Sequence, residues 1–286
     1  MDFSITDDHT AIRDGVAAVA KSFDDEYWLA RDDDGEFPRE FHRAMADAGW
    51  LGITMPQEYG GAGLGVTEAV IMLHEVASHG GAMAAASTVH INLFGPHPIV
   101  VFGTEEQRKR WLPPLVEGKD QCCFGFTEPD AGLNTTAIKT FAEKVPGGYV
   151  VHGQKVWTST AQVANKIMLL TRTTKLEDCK RPTDGITIFY TDLDRSKIEV
   201  RRIPKMGRKA VDSNAIFIDG LFIPDADRVG EEGKGFNYIL HSLNPERLLV
   251  AAEAIAIGQD ALRRATQYAG DRVVFGFNRL SFIDIA

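Results

Sequence analysis

The spacing of apolar residues changes twice along the chain, and these changes divide it into three parts. Up to about residue 120 the apolar positions recur near the helical period, which predicts helices over Phe41–Ala48, Val66–Ala77 and Glu105–Leu115. Stretches rich in Gly and Pro separate them, as in ITMPQEYGGAGLG and NLFGPHP. We therefore expect an N-terminal helical domain over residues 1–121.

From Cys122 onward the apolar residues alternate with polar ones, as in half-buried strands. A turn at His152–Gly153 is expected to join two of these strands, Tyr149–Val151 and Lys155–Trp157. Further strands are predicted at Ile167–Thr171, Gly185–Tyr190, Ile198–Ile203 and Ala215–Ile223. The pattern predicts a middle β domain with a barrel-like sheet over residues 122–231.

The helical period returns after the sequence GEEGKGF. We expect a short helix over Phe236–Leu243 and a new, long helix that begins at Asn244, with Asn244 as N-cap and Pro245 in the first helical position. One side of the long helix is rich in Ala and is expected to pack closely through Leu249, Ala252 and Ala256. One and a half helices do not bury their own apolar faces, so residues 232–286 are interpreted as an incomplete C-terminal helical domain.

Composition and charge exclude several classes of protein. The net charge is −9 and the 31 Lys and Arg residues are dispersed, which argues against a nucleic-acid partner. The three cysteines form no disulfide framework or zinc-ligand spacing and favour a reducing, cytoplasmic setting. The N-terminus is acidic and lacks the apolar region of a signal peptide, and no apolar run approaches the roughly 20 residues that span a bilayer.

The common catalytic motifs do not fit. GGAGLG lacks the dinucleotide-binding spacing and GEEGKGF lacks the Ser or Thr of a P-loop, so both are interpreted as turns. The chain contains no GxSxG motif, and His74, His79, His90 and His97 form no metal-ligand pattern, so no metal site is expected.

Five separated motifs carry the strongest functional signal. They are FGFTEPDAGLNTT (124–136), VWTST (156–160), KMG (205–207), FIPDADRVGEEGKGF (222–236) and DRVVFG (271–276). Their order and setting resemble the acyl-CoA dehydrogenase family over essentially the whole chain. The resemblance implies an α+β multidomain fold: an N-terminal helical domain, a middle β-barrel-like domain and the start of a C-terminal helical bundle. It also implies FAD-dependent α,β-dehydrogenation of an acyl-CoA in fatty acid metabolism, electron transfer to an electron-transfer flavoprotein, and a homodimer or homotetramer.

The resemblance also implies a set of cofactor contacts. A loop rich in Gly and Thr presents backbone N–H groups and hydroxyls as uncharged donors to a flavin and its pyrophosphate. In this chain the implied contacts to the flavin ring and FAD are Phe126, Thr127, Gly132, Trp157 and Ser159, and Arg272 and Phe275 would meet the FAD of a neighbouring subunit. Taken alone, Trp157 is also typical of a core strand, and Arg272 of a solvated helix end.

The catalytic base is assigned to Glu246 in LNPERLLVAA, by resemblance to family members that carry this Glu near the start of the long helix. The competing interpretation is that Glu246 only stabilises a first helical turn, where the helix dipole lowers its pKa. Glu253, on the same helical face, is a weaker candidate for the base.

Two departures from the family pattern weaken ligand contacts. Leu133 stands where the family commonly has a Ser that contacts phosphate, and Lys209 replaces the Arg of an MGxR motif. Two alternatives remain open: a flavin-dependent monooxygenase or oxidase of the same fold, and a catalytically silent fragment.

Overall fold

The computed structural model of the chain describes residues 4–274 and 277–278. Its first part is helical: α1 Asp7–Ala20, α2 Asp25–Asp34, α3 Arg39–Asp47, α4 Val66–Ala77, α5 Ala82–Phe94, α6 His97–Phe102 and α7 Glu105–Val116. The three helices predicted from periodicity are confirmed as α3, α4 and α7. At the start of α7, Thr104 Oγ1 accepts a hydrogen bond from the Gln107 backbone N–H, and Gln107 Oε1 accepts one from the Thr104 N–H.

The middle part forms one mixed sheet. Its strands are β1 Cys122–Gly125, β2 Phe141–Val145, β3 Gly148–Ser159, β4 Lys166–Arg172, β5 Ile186–Asp192, β6 Ile198–Arg202, β7 Ser213–Pro224 and β8 Arg228–Val229. They are ordered β6-β7-β3-β2-β4-β5-β8, and β1 lies parallel to β4. Within the described residues β6 pairs only with β7 and β8 only with β5, so the sheet is open rather than a closed barrel.

The predicted turn at His152–Gly153 is wrong, because β3 runs through both residues. The pairing with β7 shifts by one residue between Val151 and His152, where β7 carries the extra residue Gly220 as a bulge. A Cβ on Gly153 would lie 2.4 Å from the Thr140 hydroxyl and 2.7 Å from Thr140 Cα. The glycine therefore marks a close approach of two backbone segments rather than the end of a strand.

The predicted break at Asn244–Pro245 is also wrong. One helix, α8, extends over Gly235–Asp271 with Pro245 in its interior. The proline removes one backbone donor, which leaves the His241 carbonyl without its usual helical partner, but His241 is exposed, so water can satisfy this carbonyl. The Asn244 side chain does not cap a helix and instead accepts a hydrogen bond from the Arg247 guanidinium.

The packing predicted for the Ala-rich side of this helix is confirmed. Leu249, Ala252 and Ala256 are buried, and α8 packs across α4 and α5. Small side chains allow this close approach of helices. Nearer the start of the helix, Leu243 and Glu246 lie across a cavity from the ends of β1 and β3. After α8, Val273–Val274 and Phe277–Asn278 form a short antiparallel pair, β9 and β10.

The close approach at Gly153 generates the first testable prediction. Replacing Gly153 with Ala forces a Cβ against the backbone of Thr140 and should lower the free energy of unfolding by about 1–3 kcal/mol. The matched control is Gly207→Ala, because a Cβ at Gly207 meets no protein atom within 4 Å. Urea unfolding followed by circular dichroism measures both. Equal stability of the two variants would contradict the packing described for β3.

Candidate active site

A cavity of about 260 Å³ lies between the sheet and the helices α5 and α8. Five of the residues that the sequence analysis singled out line it together: Phe126, Thr127, Trp157, Ser159 and Glu246. Its remaining lining residues are His90, Ile91, Phe94, Phe124, Thr135, Val156 and Leu243. The sheet and its loops thus form one wall, and the two helices form the other.

A buried ion pair supports the sheet-side wall. Lys155 Nζ lies 2.8 Å from Glu128 Oε1 and also donates to the Phe126 carbonyl at 3.2 Å. The Glu128 carboxylate accepts two further hydrogen bonds, from the backbone N–H groups of Lys139 at 2.6 Å and Thr140 at 3.0 Å. Both side chains of the pair are buried. The pair therefore ties the loop after β1 to strand β3.

The surroundings keep this pair charged at neutral pH. Burial raises the pKa of Glu128, but the Lys155 ammonium and the hydrogen bonds outweigh burial and hold that pKa below its ordinary value. Burial lowers the pKa of Lys155 to about 8, and the Glu128 carboxylate opposes this effect. In this water-excluded position, the carboxylate stabilises the charged form of Lys155 and the ammonium stabilises the charged form of Glu128.

The backbone of β3 turns Trp157 toward the cavity. Trp157 has a φ of 61°, a left-handed conformation that is strained for a bulky side chain. It lies within a second bulge, between Lys155 and Thr158, where the register with β7 shifts. Trp157 is consequently 62% exposed, so its interpretation as a core strand residue is wrong.

Hydrogen bonds on both sides of the bulge hold this conformation. The Val156 N–H donates to the Thr127 carbonyl at 2.9 Å, which attaches the strand to the loop. On the other side, Asn214 Nδ2 donates to the Thr158 carbonyl at 2.8 Å. The strained residue is therefore fixed by its neighbours along the strand.

Aromatic rings and hydroxyls make up the remainder of the sheet-side wall. Phe124 and Phe126 stack with ring centroids 3.7 Å apart, and Phe94 from α5 meets Phe124 edge-on at 5.4 Å. The hydroxyls are those of Thr127, Thr135 and Ser159. No charged side chain lines this wall among the residues that the structure describes. It is suited to a flat aromatic ligand that carries polar atoms at its edges.

Glu246 is the carboxylate on the opposite wall. Burial raises its pKa and Glu253 adds to this effect, whereas His90 and Arg247 oppose it. Within the described part of the chain the Glu246 carboxylate has no hydrogen-bond or ion-pair partner. Since α8 begins at Gly235, Glu246 does not lie in a first helical turn, and the expected lowering of its pKa by the helix dipole does not apply.

Glu253 lies two helical turns further along the same face of α8. Its side chain is fully buried, and Oε1 lies 2.7 Å from His90 Nδ1 on α5. It does not line the cavity. Of the two candidate carboxylates, only Glu246 is therefore open to a ligand there.

The remaining predicted contacts lie elsewhere. Gly132 is exposed in the loop after β1, and Leu133 beside it is fully exposed. Arg272 is exposed just after the end of α8, and neither Gly132 nor Arg272 lines the cavity. Phe275 lies outside the described residues.

Several lining residues were not predicted from the sequence, above all His90 and Phe94 of α5. The segment AMAAASTVHINLF is apolar or small on nearly every side, so its pattern did not show which face meets the cavity. His90 was interpreted only as a scattered polar residue. The sequence feature that could have identified His90 is that it is a histidine within a mostly apolar helix.

Among the residues that the structure describes, no three or more His, Cys, Asp or Glu side chains are grouped so as to hold a metal ion. No helix in this part of the chain has the length and apolar character needed to cross a membrane.

Three stretches of the chain match models of a known family. The models are described as the N-terminal, middle and C-terminal domains of acyl-CoA dehydrogenase, and they match residues 6–119, 123–221 and 233–283. Benzylmalonyl-CoA dehydrogenase of Aromatoleum aromaticum is 34% identical over 290 residues, a match that covers 100% of this chain and 74% of that protein.

Two solved structures show the same architecture. Butyryl-CoA dehydrogenase from Megasphaera elsdenii is 28% identical with a TM-score of 0.90, and the match covers 99% of this chain and 74% of the other. A chain in a structure of the electron transferring flavoprotein of Acidaminococcus fermentans is 30% identical, with the same TM-score and the same coverage.

The buried pair below the sheet-side wall predicts a large effect on stability. Lys155→Met leaves the Glu128 carboxylate buried without its cation and should lower the free energy of unfolding by about 3–5 kcal/mol. The control is Lys139→Met, which breaks an exposed pair with Asp130 in the same loop and should change stability by less than about 1 kcal/mol.

Thermal and urea unfolding measure both variants. Adding Glu128→Gln to Lys155→Met should restore part of the loss, because it removes the uncompensated charge. A Lys155→Met protein as stable as the Lys139→Met control would show that the pair does not hold the loop.

Proposed function

Because the chain belongs to the acyl-CoA dehydrogenase family, whose members are oxidoreductases that act on CH–CH groups, we propose that its cavity binds FAD and an acyl-CoA thioester. In this proposal Glu246 removes the proton from the α carbon. The observation that carries the proposal is that Trp157 and Glu246 face one cavity from opposite walls.

The sheet-side wall has the chemistry that a flavin ring requires. The exposed indole of Trp157 offers an aromatic face, and Thr127 and Ser159 offer hydroxyls to the polar edge of such a ring. Phe126, stacked on Phe124, adds a second aromatic ring to this wall. When bound, the flavin supplies the acceptor for the hydride that leaves the β carbon. The strain held at Trp157 is consistent with a functional site, because strained backbone of this kind clusters at ligand clamps.

The opposite wall has the chemistry of a general base. A carboxylate must lie over the α proton while the hydride leaves on the other face of the substrate. Glu246 is partly buried, and burial raises its pKa toward the range in which a carboxylate accepts a proton effectively. In this proposal its neighbours Leu243 and Phe94 exclude water from the reacting carbons.

Three further residues belong to the proposal, and two of them, Gly132 and Arg272, do not line the cavity. In this proposal the exposed backbone at Gly132, in the loop after β1, meets the phosphates of FAD. Arg272 and Phe275 would contact FAD bound by a second copy of the chain, in a homodimer or homotetramer, since a guanidinium suits a diphosphate and an aromatic ring suits an adenine. Similarity to a chain in the Acidaminococcus fermentans structure supports an electron-transfer flavoprotein as the electron acceptor.

The placement of the flavin predicts a change in fluorescence. Adding FAD to protein stripped of cofactor should quench the indole emission, most strongly that of Trp157, because an excited indole in contact with a flavin also transfers an electron to it. The variant Trp157→Phe should therefore be quenched clearly less than the wild-type protein, whereas Trp50→Phe, which lies outside the cavity, should be quenched about as much. The measurement is a fluorescence titration with FAD. Undiminished quenching in Trp157→Phe would place the cofactor elsewhere.

The assignment of the base predicts a loss of rate. Glu246→Gln should slow flavin bleaching by acyl-CoA by roughly 10²- to 10⁴-fold, because the amide accepts no proton at neutral pH. Stopped-flow absorbance at the flavin band measures the rate with thioesters of graded length. The control is Glu143→Gln, an exposed carboxylate on β2.

The outcomes separate the alternatives. Equal rates for Glu246→Gln and the control would remove Glu246 from the mechanism. Oxygen consumption that does not depend on a thioester would instead indicate an oxidase or monooxygenase of the same fold.

A further inference from the structure

A buried guanidinium lies behind the loop that follows β1, and the proposed mechanism assigns it no role. Arg172 is the last residue of β4 and is only 2% exposed. Its Nη2 donates to the Thr136 carbonyl at 2.5 Å, and its Nε donates to the Ile138 carbonyl at 3.1 Å. Thr135, the residue before Thr136, lines the candidate cavity. The charge of Arg172 therefore lies directly against the backbone of this loop.

The remaining hydrogen bonds of Arg172 reach a second loop, between β4 and β5. Nη1 donates to the Asp184 carbonyl at 3.0 Å, and Nη2 also donates to the Pro182 carbonyl at 2.8 Å. Nη1 makes a longer contact, at 3.8 Å, with the Cys179 sulfur. The Asp184 carboxylate pairs with Arg181 instead, and no carboxylate pairs with Arg172 among the described residues. Arg172 is thus a buried cation that binds carbonyls but has no anion beside it.

The other charged side chains of the loop cancel one another. Glu128 pairs with Lys155 at 2.8 Å, and Asp130 pairs with Lys139 at 3.1 Å. Arg172 therefore adds one positive charge that the paired side chains of this loop do not offset. A buried charge without a counter-charge is costly, so an anion bound at the surface of the loop is favoured.

The surface of the loop offers hydrogen-bond donors to such an anion. The backbone N–H groups of residues 132–136 have no acceptor within the described part of the chain. Successive free N–H groups are a common way to bind an anion. Leu133 stands in this stretch where the family pattern has a phosphate-contacting Ser. The loop therefore lacks that hydroxyl but has free backbone donors with a positive charge behind them.

We infer that Arg172 is a positioning residue for the diphosphate of FAD. Its hydrogen bonds to Thr136 and Ile138 hold the loop, and its charge attracts the diphosphate bound on the other side of the backbone. Because the protein's own carbonyls occupy its donors, Arg172 acts through its field and not by touching the ligand. This charge offsets the hydroxyl that Leu133 does not supply. The inference rests on the proposed function and deepens it.

The test compares FAD with FMN and with riboflavin, which has the same ring but no phosphate. Quenching of tryptophan fluorescence in protein stripped of cofactor measures the affinity for each flavin. Arg172→Gln removes the charge and should weaken FAD binding roughly 10-fold more than riboflavin binding, as for one charge acting across several ångströms of protein. FMN, with a single phosphate group, should show an intermediate loss.

Two further variants separate charge from structure. Arg172→Lys keeps the positive charge but makes fewer hydrogen bonds, so it should retain most of the preference for FAD over riboflavin. The matched control is Arg181→Gln, because Arg181 is an exposed arginine in the neighbouring loop, and its flavin affinities should equal those of the wild-type protein. Thermal unfolding shows whether each variant is folded. If Arg172→Gln does not fold, Arg172→Lys decides, since a purely structural role predicts weaker binding of all three flavins.

The results distinguish this inference from the proposed function. An equal loss of affinity for FAD and riboflavin in Arg172→Gln, or loss of the FAD preference in Arg172→Lys, overturns the inference, while Glu246-dependent bleaching of the bound flavin by acyl-CoA still supports the function. A selective loss of FAD affinity in Arg172→Gln, in a protein whose flavin no acyl-CoA bleaches, supports the inference and overturns the function.

Discussion

The candidate site depends first on the buried ion pair between Glu128 and Lys155. The pair joins the loop after β1 to β3, and the carboxylate also accepts two backbone hydrogen bonds. A left-handed Trp157 costs about 1–3 kcal/mol, so the strand adopts it only where neighbouring contacts leave no alternative. Lys155 is buried on one side of the bulge and Thr158 on the other, so both neighbours of the strained segment are anchored. The exposure of Trp157 therefore follows from the burial of Lys155 and Thr158, which fixes the backbone on both sides of it.

The opposite wall depends on the continuity of α8. If the helix restarted at Asn244, Glu246 would lie at a positive dipole end that stabilises its charged form. In the continuous helix this effect is absent, and burial governs the carboxylate instead. The same continuity fixes the relation between Glu246 and Glu253, which lie two turns apart on one face. The first faces the cavity without a partner and the second is buried against His90, so two identical side chains have different chemistry.

Much of this architecture could be predicted from the sequence, and the errors have physical causes. Periodicity located α3, α4, α7 and most strands because it reflects which faces are buried. It did not predict that β3 continues through Gly153, since a glycine is compatible with either a turn or a close approach and only its contact with Thr140 decides. Pro245 was interpreted as a helix start because the local preference is strong, whereas packing on both sides of it maintains one helix. Five site residues could be named by family resemblance, but the pairing of His90 with Glu253 joins positions 163 residues apart and has no local signal.

The two walls respond differently when a ligand enters. On the sheet side the lining groups are aromatic or hydroxylic, and the charges of Glu128 and Lys155 are already buried and paired, so excluding water changes their energy little. On the helix side Glu246 has no partner in the described residues and is only partly buried, so each water molecule displaced removes solvation from its charge. Filling the cavity therefore raises the proton affinity of Glu246 further while the supporting pairs keep their geometry. Basicity at this position is thus coupled to occupancy of the cavity, because the Glu246 carboxylate has no partner in the described residues, whereas Glu128 and Lys155 are paired.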